Sequence, residues 1–207
     1  MTRATEWGDP SAIGFAALAG INLAFAGSFL GWWGPGHNAL VFTIGIVGGI
    51  AQVATGLVQL KRGESSGGTL MTTFGLLFMW GPGTMLLLDS LGMVGALNPF
   101  FGAWSLFLGA LLWAWSVTLV YEPAFEFLIG PVGGTTLVTA GLHDVVGLPA
   151  IVPGLLFVGL TLWGMVMLVH SLGALRGLTI PLGPPAIEAL TSTKRQESPS
   201  ATVSHGD

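Results

Sequence analysis

Two amide side chains stand near the middle of long apolar stretches and are the most informative polar residues of this sequence. Asn22 lies between Ser11 and Trp33, and Gln52 lies in the stretch 39–60, which contains no charged residue. In hydrocarbon an unpaired amide is costly, so it must face another helix or water. Each amide therefore either makes an interhelical hydrogen bond or lines a pore, and the sequence leaves both interpretations open.

Hydroxyl and ionisable groups give weaker signals. Thr69, Thr72 and Thr73 can line a path or bond back to carbonyls of their own helix, and the second fate is the commoner one. Four ionisable groups fall within a turn of the predicted ends of apolar stretches, where solvation at the membrane interface explains them: Glu126, His143, Asp144 and His170.

Several kinds of chemistry are excluded by motif and composition. There is no cysteine, no phosphate loop and no His-x-x-x-His. We therefore predict that the protein is not an enzyme and has no metal site or cofactor. The net charge of -4 does not indicate nucleic acid, and rings of carboxylates for a cation pore are missing. What remains is a path with neutral donors, which suits small neutral molecules or weakly held monoanions.

The composition indicates a membrane protein. Hydrophobic residues make up 52% of the 207 residues and charged residues only 8%, and the mean hydropathy is +0.78. Soluble domains contain roughly 25% charged residues. We predict an all-α membrane protein with six transmembrane helices, at about residues 11–33, 39–60, 69–88, 98–121, 124–146 and 149–170.

Helix caps, helix breaks and composition predict where the membrane domain and its spans begin and end. Asp9 can cap the first helix, and Pro10 is tolerated at a first helical position. Gly81-Pro82-Gly83 predicts a kink or break inside the third span. We predict an N-terminal cytoplasmic segment over 1–8, a six-helix domain over 9–178 and a disordered cytoplasmic tail over 179–207.

The positive charges predict the orientation. With both termini in the cytoplasm, every lysine and arginine falls on the cytoplasmic side, as the positive-inside rule requires. These residues are Arg3, Lys61, Arg62, Arg176, Lys194 and Arg195. Asp9-Pro10 and Asn98-Pro99 each open a span, three spans apart, which allows a 3+3 inverted repeat.

Glycines in the second span predict close helix packing. Gly45 and Gly49 are one turn apart, and Gly56 continues their face seven residues on. Small residues at this spacing let a neighbouring helix approach the backbone.

Two segments resemble the acetate uptake transporter family, also called succinate–acetate permeases. Asp9 to Phe15, Asp-Pro-Ser-Ala-Ile-Gly-Phe, resembles its N-terminal Asn-Pro-Ala-Pro-Leu-Gly-Leu signature. Gly48-Gly49-Ile50-Ala51-Gln52, followed by Gly56-Leu57 and Lys61-Arg62-Gly63, resembles its second-span motif and loop. The closing Ile180-Pro181-Leu182-Gly183 is also similar.

The resemblance implies a plasma-membrane homo-oligomer, a hexamer in that family, which moves acetate and possibly succinate as a proton-linked transporter or a channel. It makes Asp9, Pro10, Ser11 and Gly14 candidates for the substrate path. It places Leu18 and Phe74 at apolar constrictions from the first and third spans, and a third constriction residue in the fifth span has no motif.

Departures from the family pattern keep other functions open. Asp9 replaces an asparagine, so an ionised carboxylate stands where an anion would enter. Ala12 replaces the second proline of the signature. The alternatives are a channel for an uncharged solute such as urea, ammonia or glycerol, and a membrane scaffold that transports nothing.

Overall fold

The six predicted spans are confirmed as helices. The computed structural model describes residues 7–34, 36–93 and 98–196. Six helices are long and apolar enough to cross a membrane: α1 (Ser11–Phe29), α2 (Asn38–Arg62), α3 (Ser65–Ser90), α4 (Asn98–Leu119), α5 (Ala124–Val146) and α6 (Ile151–Ala174). The protein is thus an all-α, multi-pass membrane protein.

The first helix ends earlier than the sequence predicts. It stops at Phe29 rather than Trp33, because the chain turns at Gly31, which has a φ of 70°. The turn folds the indole of Trp33 back onto the helix, where its Nε1 donates to the carbonyl oxygen of Ala24 at 2.9 Å. Arg3, Pro35, residues 94–97 and residues 197–207 lie outside the described residues.

The predicted disordered tail needs a correction, since the chain is ordered over much of it. Helix α7 spans Ala186–Gln196. The strap that precedes it, residues 178–185, and the first residue of the helix pair with the turn between α4 and α5. The amide of Ala124 donates to the Pro184 carbonyl oxygen at 2.8 Å, and that of Ala186 donates to the Glu122 carbonyl oxygen at 3.0 Å. Ala186 is buried. These backbone hydrogen bonds give order to a segment that has no apolar period.

Two helices contain a widened turn next to a proline. A π-helical segment, Gly75–Trp80, precedes Pro82, and a second one, Ile129–Gly133, contains Pro131. Proline lacks the amide and clashes with the carbonyl one turn back, and a π turn accommodates both effects. The chain therefore continues as a helix through Gly81-Pro82-Gly83 rather than breaking there.

Tryptophans of α4 bond to carbonyls in these widened turns. Trp104 Nε1 donates to Leu77 at 2.8 Å, and Trp113 Nε1 donates to Pro131 at 3.4 Å. Backbone groups left free by a π turn must be satisfied inside a membrane protein, since lipid offers no partner. The Trp-rich run of α4 is thus part of the helix packing.

The helices pack as three antiparallel pairs: α1 with α6, α2 with α3, and α4 with α5. Glycines form the helix–helix contact in two of these pairs, α2 with α3 and α4 with α5. A Cβ added to Gly49 would lie 2.8 Å from the Gly75 carbonyl oxygen, and one added to Gly109 would lie 2.8 Å from that of Gly134. Gly45 and Gly56 face α3 in the same way. A Cβ added to Gly45 would lie 2.9 Å from the Met79 carbonyl oxygen, and one added to Gly56 would lie 2.6 Å from that of Gly68.

This pairing does not reproduce a 3+3 inverted repeat. Such a repeat maps α2 and α3 onto α5 and α6, so the last two helices should form a close pair. Instead α5 packs mainly against α4, and α6 packs mainly against α1. The glycine contacts of the α2/α3 pair recur in the α4/α5 pair, two helices later, so these hairpins run in the same direction.

Candidate functional site

Three cavities follow one another through the bundle and form a candidate solute path. A central chamber of about 30 Å³ lies among all six long helices. On the side of the N-terminal segment it adjoins a vestibule of about 420 Å³, the N-terminal vestibule. On the other side it adjoins one of about 170 Å³, the opposite vestibule. The chamber shares wall residues with each of the two vestibules.

The central chamber has an apolar wall with two amides. Asn22 and Gln52 supply the amides, and each is only 1% exposed. The other side chains of the wall carry no polar atom: Leu18, Leu70, Phe74, Phe78, Leu112, Ile129, Leu137, Phe157 and Leu160. A chamber of this size holds one or two water-sized groups.

The amides in the chamber lack hydrogen-bond partners within the protein. Both side-chain polar atoms of Asn22 are unpaired, and so is Gln52 Oε1. Gln52 Nε2 has only a thioether neighbour, Met71 Sδ at 3.4 Å. A buried amide without a partner costs about 1–3 kcal/mol, so these atoms are available to water or a solute in the chamber.

Within the described residues, buried side-chain nitrogen and oxygen atoms without a hydrogen-bond partner occur only along this path. Besides those of Asn22 and Gln52, they are Gln59 Oε1 and Ser66 Oγ, and both residues line the N-terminal vestibule. Unpaired groups in a native structure call for an explanation. Their restriction to one row of adjoining cavities makes that row the best candidate for a functional site.

Apolar residues separate the chamber from both vestibules. Leu18 and Phe74 lie in the chamber wall and are 7% and 5% exposed. Leu70 and Ile129 form its boundary with the N-terminal vestibule. Phe78, Leu137 and Phe157 form its boundary with the opposite vestibule. Helix α5, which sequence motifs could not resolve, thus provides Ile129 and Leu137.

The N-terminal vestibule is acidic. Asp9, Glu64, Glu122 and Glu126 line it, together with His170. No lysine or arginine is among the described residues of its lining. Within the described part of the chain, no three His, Asp or Glu side chains are grouped as a metal site. The strap holds one of these residues, because His170 Nδ1 donates to the Ile180 carbonyl oxygen at 2.9 Å.

Two cations beside this vestibule already have partners. Arg62 Nε donates to Glu64 Oε1 at 2.7 Å, and its Nη1 donates to the Trp7 carbonyl oxygen at 2.8 Å. The Lys61 ammonium lies 4.3 Å from the centroid of the Trp7 ring, a cation–π distance. These contacts fasten the N-terminal segment to the loop between α2 and α3.

A short hydrogen-bond chain runs along the vestibule wall. Gln59 Nε2 donates to Ser11 Oγ at 2.9 Å, and Ser11 Oγ donates to Asp9 Oδ1 at 2.6 Å. The backbone amide of Ser11 also donates to Asp9 Oδ1, at 2.9 Å. Asp9 therefore accepts the backbone amide of Ser11, the first residue of α1, and at the same time borders the vestibule.

The opposite vestibule is less charged. Asp144 lines it together with Asn38, Ser28 and Ser105. Neighbouring His143 points elsewhere: its Nδ1 donates to the Leu148 carbonyl oxygen at 2.6 Å, and its ring packs edge-on against Phe29. Its hydrogen bond closes the end of α5, so a role as a proton relay has no support here.

Four predicted path residues line none of these three cavities. Gly14 packs against Thr55 and Met71, where an added Cβ would lie 2.9 and 3.1 Å away. Pro10 accepts the Ile13 amide at 2.9 Å. Thr72 Oγ1 donates to Gly68 at 2.8 Å within its own helix, and Thr73 is half-buried away from the path.

The path residues that the sequence interpretation missed include Gln59, Ser66 and Leu137. Gln59 follows Gln52 by seven residues, so the two share a face of α2, and that spacing was a usable signal. Ser66 stands in a Gly/Ser segment and Leu137 in an apolar helix, and neither carries a distinguishing pattern. Only the packing places them on the path.

Comparison with known proteins gives one informative likeness. No protein-family model matches the chain, and no curated protein matches it significantly. Among solved structures, the chain is similar to the bacterial acetate channel SatP, with a TM-score of 0.78 and 20% sequence identity. The match covers 86% of this chain and 100% of that one. The two proteins share a fold.

Proposed function

We propose that this protein belongs to the acetate uptake transporter family and carries acetate across a membrane. The observation that carries the proposal is the pair of buried amides without hydrogen-bond partners, Asn22 and Gln52, in a small apolar chamber among the six helices. The shared fold with an acetate channel supports the same conclusion, as does the resemblance in the first two spans.

The chamber suits a small molecule with one polar end. A carboxyl group reaching it gains hydrogen bonds from groups that otherwise lack partners, which offsets part of its dehydration. A methyl group fits against Leu18 and Phe74. Since no lysine or arginine lies in the chamber wall among the described residues, binding is weak and release is fast, as conduction requires.

The apolar wall of the chamber favours short monocarboxylates. Asn22 and Gln52 supply the only side-chain polar atoms of its described wall, so they can satisfy one carboxyl group but leave a second one without partners. Succinate would have to place its other carboxylate against Leu, Ile and Phe side chains. We therefore expect acetate to be the better solute and succinate to be carried poorly.

A channel for an uncharged solute is the alternative that the site also supports. Amides can donate hydrogen bonds to urea, ammonia or glycerol and accept hydrogen bonds from them, as they can with a carboxyl group. A scaffold without transport is disfavoured, because close packing does not require unpaired buried amides. We further propose a plasma-membrane location, cytoplasmic termini and a homo-oligomer, a hexamer by the family resemblance.

Uptake of radiolabelled acetate into proteoliposomes tests the proposal. Succinate, lactate and urea serve as competitors, and an inward proton gradient is present or absent. We expect saturable acetate uptake that urea does not reduce. Competition by urea together with weak acetate flux would favour the uncharged-solute channel.

The variant Gln52→Leu separates a transporter from a scaffold. We expect it to lower acetate flux about tenfold, with the assembly intact by size-exclusion chromatography. Thr161→Val is the matched control, because Thr161 Oγ1 donates to Phe157 in its own helix and lies off the path. No flux above empty liposomes from folded wild-type protein would reject transport of acetate.

A further inference from the structure

The short helix α7, after the membrane-spanning bundle, is fixed to that bundle by its backbone. The amides of Ala186 and Ile187, its first two residues, donate to the carbonyl oxygens of Glu122 at 3.0 Å and Val120 at 2.8 Å. Amides at the start of one helix and carbonyls at the end of another have no partner within their own helices. The start of α7 and the end of α4 therefore satisfy each other's backbone groups and hold α7 in place.

This anchor lies at a boundary of the membrane. Helix α4 ends at Leu119 and α5 begins at Ala124, and both are membrane-spanning helices. A turn between two spans lies at the level of the lipid head groups, because irregular backbone is not tolerated in hydrocarbon. Glu122 and Glu126 line the N-terminal vestibule. Helix α7 thus begins at head-group level, on the side of that vestibule.

Helix α7 presents an exposed apolar edge at this level. Ala186 is buried against the bundle, whereas Ile187 is 37% exposed and Leu190 is 57% exposed. Ile187 and Leu190 are three residues apart, so they share one face of the helix. The apolar face of an interfacial helix enters the boundary between head groups and acyl chains, and this edge has the position and composition to do so.

An exposed stripe of the neighbouring span leads to the same boundary. Trp113, Val117 and Tyr121 follow one another at intervals of four residues, and all three are exposed. The stripe ends at Tyr121, in the turn to which α7 is bonded, and tyrosine is typical of the membrane–water interface. The exposed side chains before the turn and after it therefore both suit contact with lipid.

Positive charges on this side favour anionic lipids. Lys194 and Arg195 belong to the last turn of α7, and Glu188 is the only carboxylate of that helix. Arg176, just after α6, is exposed and forms no ion pair with a described residue. Each cation held near a membrane surface strengthens binding to anionic head groups about fivefold.

We propose that α7 is an interfacial helix that binds anionic lipid on the vestibule side of the membrane. Ile187 and Leu190 enter the boundary between head groups and acyl chains. Lys194, Arg195 and Arg176 supply the positive charge that favours anionic head groups. The inference concerns a lipid partner and does not depend on which solute the path carries.

The absence of cysteine from the sequence allows a direct test. Leu190→Cys and, as the control, Glu188→Cys are each labelled with bimane in the full chain. Glu188 is exposed and stands two residues from Leu190, on a different face of the helix. In vesicles of phosphatidylcholine and phosphatidylglycerol, we expect lipid brominated on its acyl chains to quench the label at 190 about threefold more than the label at 188. Acrylamide, which stays in water, should show the reverse order.

Charge selection is tested by placing bromine on one lipid at a time in the same mixture. We expect brominated phosphatidylglycerol to quench the label at 190 more than brominated phosphatidylcholine does. The double variant Lys194→Gln, Arg195→Gln should lower this ratio toward one. Glu188→Gln, which removes a negative charge from the same helix, should raise it.

Three results would overturn the proposal. Quenching of the label at 190 by acrylamide alone would show that the helix stands in water. Equal quenching by the two brominated lipids would show that anionic lipid is not selected. Protection from brominated lipid and from acrylamide together would show that protein, such as a second copy of the chain, covers this face. All three are decided without measuring acetate flux, so failure of the proposed function is a separate result.

Discussion

The central chamber and the N-terminal vestibule differ in whether their polar side chains have hydrogen-bond partners and in how much charge surrounds them. In the chamber, Asn22 and Gln52 stand in an apolar wall, and three of their polar atoms have no partner. In the vestibule, Asp9 and Ser11 are held in a hydrogen-bond chain, and carboxylates surround an open space of about 420 Å³. One region is narrow, apolar and uncharged, and the other is wide and charged.

The contrast assigns different tasks to the two regions. A charged, wide mouth can discriminate between ionised and neutral forms of a solute before it loses its water. A narrow apolar chamber discriminates by size and by the cost of dehydration, and its free amides lower that cost for one polar group at a time. Discrimination by charge and discrimination by size therefore occur at separate places.

The largest effect is expected from Asn22→Leu in the chamber. We expect acetate flux to fall at least tenfold, because both polar atoms of this side chain are offered to the solute. Thermal stability in detergent should stay equal or rise, because an unsatisfied buried amide is replaced by an apolar group of similar size. Loss of stability together with flux would instead show that Asn22 makes a structural hydrogen bond.

The next largest effect is expected from Leu137→Ala, which removes part of the boundary between the chamber and the opposite vestibule. We expect the flux of butyrate relative to acetate to rise about fivefold, as the chamber gains room. Leu155→Ala, on an exposed face of α6, is the control. An unchanged ratio in competitive uptake would place the size limit elsewhere.

A smaller effect is expected from the double variant Glu122→Gln, Glu126→Gln in the vestibule. Removing two carboxylates weakens the repulsion of anions, so we expect methanesulfonate entry to rise about threefold at low ionic strength. The increase should vanish at about 1 M salt, where charges are screened within about 3 Å. An increase that persists in high salt would mean that the variant widened the mouth rather than changed its charge.

The smallest effect is expected outside both regions, from Thr72→Val. The hydroxyl bonds within its own helix and faces the glycine contact with α2. Acetate flux should stay within about 1.5-fold of wild type, with a stability change of about 1 kcal/mol or less. A large loss of acetate flux in folded protein would instead indicate that Thr72 lines the path.

The sequence predicted the helices well because their signal is local. Uncharged apolar stretches of the length of a bilayer identify each span, and the structure confirms six of them. Gln52 and Asn22 were recognisable as unusual for the same reason, since each is a polar residue within such a stretch. Order after residue 179 was missed, because it depends on hydrogen bonds to the turn after α4, far away along the chain.

What the sequence determined by itself is the number of spans and the list of polar groups inside them, since hydropathy depends only on neighbouring residues. Which of those groups share a space was decided by tertiary packing. Thr72 and Gly14 turned toward neighbouring helices, whereas Gln59, Ser66 and Leu137 were brought to the path. The physical reason is that a helix presents a face in every direction, and only its contacts with other helices determine which face lines a cavity.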